Sequence, residues 1–79
     1  MSREEQKTIV LSRFRKIIRE SGMTVEELAR QSGVPAGTLY SYTGIKVSNS
    51  VPTLFVAVNV CRVLGVSLDW MCGLDRWKQ

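Results

Sequence analysis

Histidine is absent from this chain of 79 residues, and cysteine occurs only at Cys61 and Cys72. Two thiols without an imidazole supply neither the four ligands of a structural zinc site nor a disulfide framework. They read instead as two small buried thiols. A phosphate-cradling loop and a convergent carboxylate pair are also missing, so no enzymatic activity, cofactor, metal or small-molecule ligand is expected. No apolar run approaches the about 18 residues of a membrane span, and Met1 to Lys7 is too polar for a secretory signal. A soluble, cytoplasmic protein without a membrane partner is the expectation. Chain length allows one core, hence a single domain over residues 1–79 with no separate ligand-sensing or protease unit.

Acid is scarce in one long stretch. Between Glu27 and Asp69 there is no acidic residue, whereas Arg30, Lys46 and Arg62 fall inside that gap and Arg13, Arg15, Lys16 and Arg19 precede it. The overall balance is 11 basic against 7 acidic side chains, a net charge of +4. Such a surface does not repel phosphate. An ordinary solvated basic face accounts for the charge equally well.

What is present has helical periodicity. Ser2-Arg-Glu-Glu5 has capping-box spacing, and Val10, Phe14, Ile17 and Ile18 recur at the intervals of one helical face. This predicts a long first helix that stops at Gly22. Thr24-Val-Glu-Glu27 is a second capping box, with Met23 placed to staple against Leu28, and predicts a helix from Val25 to about Gln31 closed by Gly33. Pro35 suits the first turn of a third helix over Pro35 to Tyr42, leaving only Gly33 and Val34 between the two. The polar, glycine-containing stretch from Thr43 to Pro52 reads as a loop.

The segment Leu54 to Leu64 has the β-branched content of a strand, but its length and one-sided pattern favour a helix with Leu54, Ala57, Val58, Cys61 and Leu64 toward the core. Ser67-Leu-Asp-Trp then caps a last short helix ending near Cys72-Gly73. The expected fold is all-α, five helices in a compact domain.

Two short helices joined by so tight a turn must cross steeply. They need a small residue at the contact and one tolerant of positive φ in the turn, which Ala29 and Gly33 supply. Leu28, Val34 and Leu39 lock the pair against the first helix. Left outward on the third helix are Ala36, Gly37, Tyr40 and Ser41, with Thr38 and Thr43 at its flanks.

The run from Thr24 to Gly44 resembles the helix-turn-helix of the phage repressor and Cro family. Val63-Leu-Gly-Val-Ser-Leu-Asp-Trp resembles that family's ending, so the likeness covers nearly the whole chain. It departs from the family in three places. Val25 stands where many relatives have a phosphate-binding glutamine; Ile18 and Thr43 stand where many pair an arginine with a glutamate; and the loop from Thr43 to Pro52 is longer than usual. The joint loss of the charged pair suggests an apolar contact in its place.

The resemblance implies a sequence-specific binder of double-stranded DNA and a transcriptional repressor, with the third helix in the major groove presenting Ala36, Gly37, Tyr40 and Ser41 to base edges. None of these makes a bidentate base contact, so readout rests on thymine-methyl packing, single hydroxyl bonds and DNA shape. Backbone contacts are expected from Thr24 at a helix N-terminus, from Thr38 and Thr43, and from Lys46, Ser48 and Asn49 in the loop. The rival reading is a helical interaction module or antitoxin-like adaptor that keeps the fold with weak or no DNA binding.

A symmetric homodimer is expected as well. On the fourth helix only Asn59 and Arg62 are polar, so Val56, Val60 and Val63 form a stripe beyond the core face, while Trp70, Leu74 and Trp77 recur downstream. Pairing of half-sites multiplies a weak readout. A C-terminal tail folded back over the stripe is the alternative.

Overall fold

A computed structural model describes residues 2–43 and 50–74. Five helices follow one another: α1 (Arg3–Glu20), α2 (Val25–Ser32), α3 (Ala36–Thr43), α4 (Leu54–Leu64) and α5 (Leu68–Met71). Among the described residues no helix is long and apolar enough to cross a membrane.

Each boundary has a local cause. At α1, Ser2 Oγ accepts the Glu5 N–H at 3.1 Å while the Glu5 carboxylate accepts the Ser2 N–H at 2.8 Å, so the capping box is complete. At α2 only half of the expected box forms. Thr24 Oγ1 accepts the Glu27 N–H at 3.1 Å, but the Glu27 carboxylate turns away to Arg30 and to Gln31 Nε2, the latter at 2.8 Å. A cation and an amide on the next turn compete with the cap N–H for the same two oxygens. Helices α4 and α5 start on Thr53 and Ser67, whose hydroxyls accept N–H groups three residues on, at 3.3 and 3.2 Å.

The α2–α3 turn is one residue longer than the sequence suggests. Gly33 ends α2 at φ 76°. Ser32, buried although polar, accepts the Val34 N–H at 3.2 Å and so pins the turn. The Pro35 carbonyl accepts from Thr38 and Leu39 at 3.0 and 3.2 Å, which puts proline at the cap and Ala36 at the first helical position. The third helix therefore runs from Ala36 to Thr43.

Helix α1 is the spine, touching α3, α4 and α5, while α2 packs on α3 and α4. Phe14, Leu28, Val34, Leu39, Val60 and Met71 are wholly enclosed at the centre. Tyr42 meets Phe14 edge-on, ring centroids 5.1 Å apart at 87°, a favoured aromatic geometry. Helix α5 is tied back to α1 by Arg13, whose guanidinium donates to the Trp70 carbonyl and lies 4.6 Å over the Trp70 ring. Gln6 Nε2 reaches the Cys72 carbonyl at 3.4 Å.

The face of α4 is a correction. Val56 and Val60, read from the sequence as a stripe beyond the core, are buried with Ala57 and Cys61, while Leu54 (72% exposed) and Val58 (41%), expected toward the core, face outward with Phe55 (62%). Helices α1, α2 and α5 all pack on α4, and together they enclose the side opposite Asn59 and Arg62. Of the two thiols, Cys61 is buried, with its sulfur 3.6 Å from Met71 Sδ, but Cys72 is only half-buried.

Candidate nucleic-acid interface

Helix α3 buries Leu39 and Tyr42 and leaves the rest of its circumference to solvent or half-covered. Gly37, Tyr40 and Thr43 are exposed; Ala36, Thr38 and Ser41 are half-buried. The expected base-facing and flanking residues thus lie on the surface of one short helix. Gly37 has no packing reason to lack a side chain, because a Cβ there meets nothing within 4 Å. Glycine inside a helix costs roughly 0.5–1 kcal/mol relative to alanine, so its presence gains nothing for the fold.

Three hydroxyl groups of this surface are committed. The Tyr40 hydroxyl donates to Glu26 Oε2 on the first turn of α2. Ser41 Oγ donates to the Thr38 carbonyl at 2.6 Å, and Thr43 Oγ1 donates to the Leu39 carbonyl at 3.2 Å. The phenol's hydrogen bond holds the Glu26 carboxyl below its ordinary range, and the same bond pushes the Tyr40 phenol up. Glu27 is lowered too, first by Gln31 and then by Arg30. Both carboxylates on the first turn of α2 are ionised at neutral pH and each has a donor.

Thr24 is exposed at the start of α2. Its oxygen is occupied as the cap acceptor, and a hydroxyl used in this way retains a proton to donate. Around the neighbouring hollow the sequence reading missed two cations. Arg15 and Arg19, four apart on α1, line a depression of about 320 Å³ together with Ile18, Met23, Val25, Tyr42 and Thr43. The signal was present in the basic run of α1, but only the fold shows which of its members reach the ends of α2 and α3. Ile18 and Thr43 both line this hollow. Lys46, Ser48 and Asn49 lie outside the described residues, as does Trp77.

The second half of the expected site is less well gathered. Trp70 and Val63 are half-buried and Leu74 is 40% exposed, whereas Val56 and Val60 belong to the core. Apolar surface lies elsewhere on α4. Leu54, with Val51 and Pro52 just before the helix, forms one wall of a groove of about 430 Å³ whose other walls are α1 and Leu68, Met71 and the cap residue Cys72 at α5.

The helix-turn-helix family model matches residues 14–71, from the centre of α1 to the last residue of α5. The chain belongs to this family, the helix-turn-helix proteins of the phage repressor and Cro type, and by family is a DNA-binding transcription regulator. At a significant level no curated protein and no solved structure matches it.

Proposed function

We propose that this protein is a transcriptional repressor that occupies an operator as a symmetric homodimer, each copy laying α3 in the major groove. The observation that carries the reading is the surface of α3 itself: small or hydroxylated side chains, with a bare Gly37 that packing does not require. A missing side chain at that position lets the helix backbone approach base edges closely. Thr24, Arg15 and Arg19 supply donors and charge for the flanking phosphates, with Thr38 and the loop residues Lys46, Ser48 and Asn49 alongside; Thr43, whose proton goes to the Leu39 carbonyl, borders this surface without donating to it.

The dimer surface we infer is formed by Trp70 and Leu74 with Val63 and Trp77. It is extended by the exposed Leu54, Phe55 and Val58 in place of the buried Val56 and Val60. Large apolar side chains left exposed in this number are what a second copy would cover.

Titration against random duplexes at two salt concentrations tests the DNA-binding reading. Affinity falls steeply with salt as lysine and arginine displace condensed counterions. Selection from a randomised duplex pool then separates the roles. Tyr40→Ala and Ser41→Ala change the preferred sequence, while Lys46→Ala and Arg19→Ala weaken all duplexes alike. Absence of binding at low salt overturns the proposal.

A further inference from the structure

We propose that Glu26 is a positioning residue for base readout: by holding the Tyr40 proton it makes the Tyr40 oxygen an acceptor only, so that the protein selects bases whose major-groove edge carries an amine, cytosine or adenine. The inference rests on the DNA-binding reading of α3 and deepens it.

A phenol exposed to water can either donate or accept and so distinguishes bases poorly. On this surface the Tyr40 hydroxyl bridges from α3 to the first turn of α2 and donates to the Glu26 carboxylate. Hydrogen bonds to an ionised acceptor are about twice as strong as neutral ones, so the proton is not readily redirected to a base. The lowered Glu26 and raised Tyr40 titrations are the same bond seen from its two ends. What the phenol oxygen still offers is lone pairs.

Ser41 and Thr43 repeat the arrangement more weakly, their protons given to the carbonyls of Thr38 and Leu39. Ala36 and Gly37 carry no polar side-chain atom. The hydroxyls of Tyr40, Ser41 and Thr43 therefore present acceptors, and Thr38, half-buried at the flank, carries the one further hydroxyl of the helix's outer surface. In the major groove the complementary donors are N4 of cytosine and N6 of adenine; guanine offers only O6 and N7, and thymine only O4 and a methyl group. An ionised carboxylate beside the groove also repels phosphate, but that effect acts on every duplex equally and carries no preference.

The test is selection from a randomised duplex pool with the intact protein, Glu26→Ala, Tyr40→Phe and the double variant, followed by affinity measurements on single-base variants of the best site. The intact protein prefers cytosine or adenine at a position where Tyr40→Phe loses about three- to tenfold in discrimination, the worth of one hydrogen bond. Glu26→Ala frees the phenol proton, relaxes the preference at that one position toward guanine and thymine, and raises affinity for all duplexes through the lost charge. The double variant behaves as Tyr40→Phe at that position, since Glu26 acts through Tyr40. Both residues are exposed, and retained helical content with a cooperative thermal transition excludes a folding effect. A Tyr40-dependent position that prefers guanine or thymine overturns the inference, as does a Glu26→Ala protein that binds with its base preference intact. An intact protein that binds no duplex overturns the underlying DNA-binding reading as well.

Discussion

Gly33 and Gly37 stand four residues apart and serve opposite ends. Gly33 sits at φ 76°, a conformation that costs a side-chain-bearing residue about 1–2 kcal/mol, so Gly33→Ala lowers stability by roughly that amount in chemical denaturation. Gly37 is helical and faces open space. Gly37→Ala is expected to raise stability by roughly 0.5–1 kcal/mol and at the same time to alter or weaken DNA binding. A substitution that gains in the first measurement and loses in the second identifies a position held by function; equal gain in both removes Gly37 from the reading surface. Sequence alone singled out Gly33, because the turn needs positive φ. It placed Gly37 on the outer face but gave no hint that packing leaves it free, since that depends on what surrounds α3.

Among the elements, α1, α2 and α5 were legible because polar caps and glycines mark their ends. The sequence reading placed the boundaries of α3 one residue early at each end, because proline occupied the cap instead of the first turn. Helix α4 shows why a face is harder to read than a helix. Nine of its eleven residues are apolar, so periodicity alone leaves the buried side undetermined. The usable signal was the pair of polar residues. The side opposite Asn59 and Arg62 is centred on Ala57, Val60, Cys61 and Leu64, all buried or half-buried.

Val60→Ala, at a site with no exposed surface, is expected to cost about 2 kcal/mol, whereas Leu54→Ala leaves the thermal midpoint unchanged. Equal effects mean that α4 is turned differently. Val56→Glu buries a carboxylate and unfolds the chain, so it cannot report on pairing; Phe55→Glu can.

For the whole molecule the expected assembly is a dimer at micromolar concentration in sedimentation equilibrium, weakened by Phe55→Glu or Leu74→Glu without loss of helical content. A monomer that still occupies a palindromic site without cooperativity refutes it. Stability should be flat across the neutral range. The chain has no histidine, and the shifted groups titrate outside that range.

Glu26 and Glu27 fall below the ordinary 4.5 in the folded state. Their contribution is present above that value and is lost as pH drops through the lowered one. Burial pushes Tyr42 above 10.0, so its contribution is complete below pH 10.0 and disappears as pH climbs through the raised value. The thermal midpoint is therefore constant between about pH 5.5 and 8 and declines on either side. A midpoint that slopes within that window contradicts this assignment.

The unequal shelter of the two thiols turns the fold into its own clock. Cys72 is half-buried, while Cys61 is enclosed beside Met71, and burial raises both thiols above the ordinary 9.0. Alkylating reagent at mildly alkaline pH reaches Cys72 by small excursions of α5, but Cys61 only when α4 and α5 part. Two rates measured in one reaction then give two opening equilibria: one for the end of the molecule, the other for its centre. Cys72 is expected to react first. Addition of operator DNA slows Cys61 only to the extent that binding at α3 stabilises the whole domain, so the ratio of the two rates with and without DNA measures how far the grip of one helix is felt across the core.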